Sequence, residues 1–289
     1  MSDYVRQHAV ESAFTEGESW IVLSEIEQSI KRKIEAAGKP LGEWEVSINY
    51  GIKTGCNDAF IIDGATKDKL VAEDPKSAEL IRPILRGRDI RRYAYSFADQ
   101  WLIAVHNGYK ANGRVIPPVD ITRYPAVKRH LDQYWTELEK RGDRGITPYN
   151  LRNCAYMDDF SKQKIVWGNL CLRSQFSLVE EGFMVNAPSP LITPGYLWLL
   201  AILNSKTADW YIRSLGVTRN GGYFEYKPMF VERLPVPDLT EFEKEQLTLH
   251  AANIMSGQGD SQSEEAAIDS IVFSLYRLAD NERKYLLEL

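Results

Sequence analysis

Several things are scarce in this chain of 289 residues, and each scarcity removes a class of protein. Cysteine occurs three times, as Cys56, Cys154 and Cys171, with no Cys-x-x-Cys pair. That excludes a disulfide framework and a structural zinc, and it points to a reducing cytoplasm. The four histidines, His8, His106, His130 and His250, stand far apart with no metal-ligand spacing. His130 falls on a helix flank and reads as a surface residue. No apolar run approaches the roughly 20 residues that cross a bilayer. The first residues lack the charged-then-apolar pattern of a secretory leader, so no membrane partner is expected. No internal repeat is visible.

What is present begins with a workable core and an uneven charge. Hydrophobic residues make up 44%, too many for wholesale disorder. The net charge of −5 argues at first against a polyanionic partner. Its distribution argues the other way: residues 82–237 hold 22 Lys and Arg against 14 Asp and Glu, and both flanks are acidic. A basic middle between acidic ends suits a polyanion-binding face on a soluble body.

The chain is organised around residues 46–63, VSINYGIKTGCNDAFIID. Two β-like runs, residues 46–50 and 59–62, flank a polar tip and read as a hairpin. Gly51 and Gly55 allow positive φ and close backbone approach. Lys53, Thr54 and Asn57 then present one cation and two neutral hydrogen-bonding groups, a mix that suits a polyanion whose edges must also be read. Before it, Leu23, Ile26, Ile30 and Ile34 predict a helix from Ser19 to Gly38, with Lys31, Arg32 and Lys33 complementing its dipole. After it, IRPILRGRDIRRY, residues 81–93, sets five arginines in eleven residues, and Pro83 argues against a long helix. Arg86, Arg88, Arg91 and Arg92 suit phosphate or guanine contacts, or Asp89 ties them into an ion-pair cluster.

A strand is expected at residues 101–105, and Pro125 opens a helix with Val127, Leu131, Tyr134, Trp135 and Leu138 on its packed side. A glycine-bearing loop follows with Arg144, Asn150 and Arg152. Strands are expected at residues 165–167 and 175–179, the latter pairing as a hairpin with residues 183–185. Residues 196–215 read as helical, capped or kinked at Asn204-Ser205. The loop of residues 217–227, VTRNGGYFEYK, brings Arg219, Asn220, Tyr223, Tyr226 and Lys227 around two glycines. From Asp238 the chain turns acidic and helical, with helices over residues 241–254 and around Ile268 to Tyr276, joined by a Gly/Ser/Gln linker. The fold class is therefore mixed α/β (α+β) with C-terminal helices: residues 1–45 a lead-in and helix, 46–237 the main domain, 238–289 a helical segment.

Catalytic signatures are sparse. Gly257-Gln258-Gly259 lies in a polar linker with no strand before it, unlike a cofactor loop. The Asn/Asp-Pro-Pro-Tyr/Phe tetrapeptide that grips a flipped base amine is missing from the sequence. Glu225-Tyr226-Lys227 matches the Glu-x-Lys half of a metal-dependent nuclease site, without a compelling upstream carboxylate. No catalytic or metal residue is assigned.

NYGIKTGCNDAFIID followed by IRPILRGRDIRRY resembles the C-terminal target-recognition part of adenine-specific DNA methyltransferases, in particular Eco57I-type fused restriction-modification enzymes (type IIG) and the TaqI-like specificity domain. FMVNAPSPLIT continues the likeness, and LLAILNSKTADWYI with RNGGYFEYKPMFVERLPVP is similar to the recognition-domain ending of type I specificity subunits. The resemblance covers about residues 19–237. It implies sequence-specific binding of double-stranded DNA on behalf of a methyltransferase catalytic domain or subunit, with S-adenosylmethionine held there and no cofactor in this chain. A metal-dependent nuclease domain and a protein-interaction scaffold are the rival readings.

Overall fold

The spacing of Ile26, Ile30 and Ile34 becomes helix α1, Glu25–Ala37, in the computed structural model, which describes residues 23–111, 113–216 and 218–289. Ser24 caps α1 by accepting from the Glu27 N–H, while Glu27 reaches back to the Ser24 N–H. Residues 1–22, with His8 and the expected helix start at Ser19, lie outside the described residues, as does Val217. The cations of α1 do not fall in its last turn, because the helix runs on to Ala37. Lys33 instead meets Glu282 near the C-terminus, Nζ to Oε2 2.6 Å.

Two four-stranded sheets carry the fold, which is mixed α/β. Their strands are β1 Ser47–Tyr50, β2 Ile61–Asp63, β3 Ile81–Leu85, β4 Gln100–Ile103, β5 Lys164–Trp167, β6 Phe176–Val179, β7 Met184–Val185 and β8 Pro190–Thr193. The first sheet has the order β6-β5-β8-β1 with antiparallel neighbours. The second has the order β7-β3-β4-β2, and in it β7 runs parallel to β3.

The first sheet is a partition. Successive side chains of a strand point to opposite faces. Along β5, Ile165 and Trp167 enter one core and Val166 enters another, and all four residues of the strand are buried. Lys164 is among them; its Nζ donates to the Glu180 carbonyl at 3.0 Å, and burial pulls its ammonium down to about 8. One core lies between this sheet, the second sheet, and helices α2, Gly64–Glu73, and α3, Pro125–Asp132. The other gathers α1, α4 Leu197–Asn204, α5 Lys206–Leu215, α6 Glu241–Ser256, α7 Ser261–Leu275 and α8 Asp280–Glu288.

The expected hairpins are crossovers. Residues 46–63 do not fold back on themselves: β1 belongs to the first sheet and β2 to the second, with a helical turn, Asn57–Phe60, before β2. Gly51 makes the switch possible. Its N–H donates to the Ser189 carbonyl, the next N–H, of Ile52, donates to Val185, and a Cβ on Gly51 would lie 2.4 Å from the Val185 oxygen. Likewise β7 does not return along β6. Gly182, at φ +84°, sends the chain across to β3, where Met184 and Val185 are buried.

The expected helix from Pro125 divides at residues 133–134, and Trp135 opens the second piece, Trp135–Lys140, facing outward at 40% exposure rather than packing in the core. His130 is not a surface residue: it is half-buried with Nε2 3.1 Å from the Ala59 carbonyl, and burial lowers its pKa. The break at Asn204-Ser205 falls where expected. Ser205 caps α5, and the Asn204 amide bonds both backbone groups of Phe176, standing in for a neighbour of β6. The expected linker shrinks to a tight turn of residues 257–260, with Gly257 at φ +69° closing α6 and Asp260 capping α7.

Candidate nucleic-acid interface

Three segments enclose a cleft of about 550 Å³: residues 50–53, residues 151–156, and Ala187-Pro188. Lys53 and Arg152 both line it, and their side chains are 59% and 52% exposed. Tyr50 and Tyr156 contribute aromatic wall. Two cations over an aromatic-lined concavity suit a nucleic-acid backbone with unstacked or edge-on bases.

The loop after β1 is held in place by its own polar groups. Gly55 takes φ +69°. Thr54 is buried; its hydroxyl donates to Asn57 Oδ1 at 2.6 Å and accepts from the Cys56 N–H. Asn57 itself is exposed. Of the expected trio, Lys53 and Asn57 therefore stand at the surface, and Thr54 locks the turn beneath them.

The second segment is built around Arg141, which directly follows the helical piece Trp135–Lys140. Arg141 is buried, and its guanidinium donates to the carbonyls of Thr54, Asp143, Pro148 and Asn150. One side chain thus fastens the Thr54 loop to the loop of residues 142–153. Asp143 repeats the link from the surface, with Oδ2 2.8 Å from Lys53 Nζ and Oδ1 3.1 Å from Arg152. Those cations, Lys53 first, hold its carboxyl below the ordinary range. Asn150 is buried, donating to the carbonyls of His106 and Val119, so its amide serves the loop and not the surface. Arg144 is exposed and donates to the Glu139 carbonyl.

The arginine run splits. Arg86 is tied to Asp89, Nε to Oδ2 2.9 Å. Arg88 and Arg91 are exposed, Arg91 folded back on the Arg88 and Ile90 carbonyls. Arg92 turns the other way, to Glu265 of α7 at 2.7 Å and the Asn204 carbonyl at 2.6 Å, and so joins the run to the helical side.

The loop before Lys227 has the same design as the first. Gly221 and Gly222 take φ +78°, and Phe224–Glu225 pairs with Leu170–Cys171. Arg219, Asn220 and Tyr223 are exposed. Glu225 is buried, Oε1 2.7 Å from Arg219 Nε and Oε2 2.7 Å from Lys227 Nζ. Lys227 and Arg219 hold its carboxyl below the ordinary range. Tyr226 is buried in the helical core: its hydroxyl donates to Asp209, and its carbonyl accepts from Trp167. It does not reach the surface.

These parts are neighbours. Gly51 bonds Ser189; a Cβ on Gly87 would lie 3.0 Å from the Ser189 hydroxyl and 3.9 Å from Gly168 Cα; Asn169 accepts from Tyr226. A continuous path of contacts thus joins the Lys53 loop, the start of the arginine run and the Arg219 loop. Both oxygens of Glu225, the carboxylate of the Glu-x-Lys sequence, pair with cations. Among the described residues no group of three or more His, Cys, Asp or Glu is placed to hold a metal. Gly257-Gln258-Gly259 turns between two helices, with no strand–loop–helix to cradle a nucleotide-like cofactor.

A family model described as the TaqI-like C-terminal specificity domain matches residues 82–236, more than half of the chain. The chain belongs to the TaqI-like C-terminal specificity domain family. The match contains the arginine run, the Arg141 hub and the Arg219 loop of this TaqI-like domain, and it begins after Lys53 and Asn57. The type II methyltransferase M.BstVI of Geobacillus stearothermophilus is 23% identical over 282 residues, which are 93% of this chain and 46% of that protein. The chain thus spans about half the length of that relative. Two solved structures share the fold. The type IIL restriction-modification enzyme MmeI, determined in complex with DNA, superposes with a TM-score of 0.64 at 14% identity, over 87% of this chain and 37% of MmeI. The type IIG restriction endonuclease BpuSI does so with 0.50 at 12% identity, over 89% of this chain and 33% of BpuSI. No helix of the described residues is long and apolar enough to cross a membrane.

Proposed function

We propose that this TaqI-like domain recognises a specific sequence in double-stranded DNA on behalf of an adenine-specific methyltransferase or a fused restriction-modification enzyme. One observation carries the reading: on a protein of net charge −5, exposed Lys53, Arg152 and Asn153, from two loops distant in sequence, line one cleft with aromatic walls. Phosphates bind the cations whatever the sequence, and base edges are read by side chains fixed in position. The surface set is Lys53, Asn57, Arg88, Arg152, Arg219 and Asn220. Thr54, Asn150 and Tyr226 support it from beneath. Catalysis and S-adenosylmethionine belong, in this reading, to a catalytic domain or subunit partnered with the chain.

Selection of bound duplexes from a random pool, followed by titration of affinity against salt, tests this. One enriched motif is expected, with a log–log salt slope near −0.9 per phosphate neutralised. The same preparation should give no binding heat with S-adenosylmethionine. Affinity that is flat between low and physiological salt, or a pool recovered without enrichment, would overturn the reading.

A further inference from the structure

Both cation-bearing loops have a carboxylate at their centre, and each carboxylate is divided between two cations. Asp143 gives one oxygen to Lys53 and the other to Arg152. Glu225 gives one to Arg219 and the other to Lys227. In each trio the cations are more exposed than the carboxylate: 59% and 52% against 28% in the first, 53% and 33% against 5% in the second. Asp143 lies in a different loop from Lys53, and a Cβ on Gly55 would lie 3.0 Å from Asp143 Cβ, so the first trio also closes the seam between the two segments.

We propose that Asp143 and Glu225 are specificity-determining residues, which suppress sequence-independent DNA affinity while holding four cations for sequence-dependent contacts. The proposal rests on the DNA-recognition reading above. Any exposed cation binds any phosphate, so two free cations per loop would favour every duplex alike. A carboxylate between them cuts the net charge of each trio from +2 to +1 and repels approaching phosphates. Base contacts are affected differently. A guanidinium or ammonium already held in place loses less rotamer freedom when it meets a base edge, so the ion pair supports the matched complex. Isolated surface ion pairs contribute little to stability. The effect sought is therefore on the ratio of matched to random affinity.

The experiment uses the full chain, a random-sequence duplex and the duplex obtained by selection. Asp143→Asn is expected to raise random-duplex affinity about tenfold at low salt and to steepen the salt slope by about 0.9, the value for one more phosphate neutralised. Matched-duplex affinity should rise less, so discrimination falls. Glu225→Gln should act in the same direction; because Glu225 is buried, its melting curve is measured alongside, and the more exposed Asp143 carries the test if that variant unfolds. Glu245→Gln, at an exposed position of α6, controls for net charge alone. The proposal is overturned if Asp143→Asn leaves random-duplex affinity and slope unchanged, if Glu245→Gln matches it, or if discrimination is preserved. Wild-type protein that binds no duplex in a salt-dependent way overturns the recognition reading, and this inference with it. Wild-type binding with an inert Asp143→Asn overturns this inference alone.

Discussion

Arg141 shows how far one side chain can determine a surface it does not join. It is 8% exposed and has four carbonyl acceptors, and its guanidinium lies 4.6 Å from the Phe60 ring centroid. Burial lowers its pKa, yet arginine starts so high that the group remains charged. A planar fork can serve several carbonyls spread around it, and a lysine ammonium cannot match that spread. Arg141→Met would keep the packing on Phe60 and strip the donors. A buried acceptor left unpaired costs about 1–3 kcal/mol, so a stability loss of at least that size is expected in urea titrations. DNA discrimination should fall with it, because Lys53 and Arg152 lose their common base. An unchanged urea midpoint would show that the two loops hold together without the guanidinium.

At the scale of elements, the junction between α5 and α7 carries a titratable weakness. Asp269 of α7 is 6% exposed and accepts from the Lys206 N–H at 2.8 Å, at the start of α5. Burial pushes its carboxyl up to about 6, with the Lys206 N–H, Arg92 and Lys206 pulling partly against it. Its folded pKa thus lies above the unfolded value of about 3.9. The folded state then holds the proton more tightly than the unfolded state, and the group's contribution falls as pH rises from about 4 to about 6. Asp269→Asn removes that slope. The stability of wild type relative to the variant should drop by up to about 3 kcal/mol across this window, and denaturant midpoints from pH 4 to pH 7 would check it. Parallel curves for the two proteins would mean the carboxyl titrates normally. Several helices were legible in the sequence: apolar spacing marks α1, the apolar run of residues 196–215 marks α4 and α5, and Asn204-Ser205 marks the break between them. Strand partners were not. Residues 46–63 and 176–185 have the polar tips and glycines of hairpins, yet Gly51 and Gly182 carry the chain between sheets. A local pattern cannot tell a turn that returns from a turn that crosses. The candidate site was legible in part for the same reason: charge and amide content marked Lys53, Asn57, Arg152 and Arg219, whereas the burial of Thr54, Asn150 and Tyr226 and the hub role of Arg141 depend on contacts between distant segments.

Across the whole molecule, the acidic C-terminal helices complete a core that the basic middle begins. Leu247, Ile268, Val272, Phe273 and Leu286 are buried together with α1 and α4. Tyr276 donates to the Pro235 carbonyl at 2.6 Å, in the strand Pro235–Pro237 that pairs with Gly38–Pro40. Buried Glu282 takes Ser29 and Lys33 of α1, and Glu265 takes Arg92 from the arginine run. A chain cut after residue 237 would keep nearly all of the proposed DNA surface and lose every one of these contacts. Each fully buried Leu, Ile or Phe contributes about 1.5–3 kcal/mol, against a total stability of about 5–15 kcal/mol for a typical domain. The apolar faces of α1 and α4 that these side chains cover would be exposed, at a cost on the scale of the whole stability, and Arg92 would be left half-buried without its carboxylate. Residues 1–237 are expected to show no cooperative thermal transition and to aggregate through the uncovered face of α4. A sharp melt near that of the intact chain would show instead that the first sheet and α4 sustain their core unaided, and that the acidic helices serve something other than the fold.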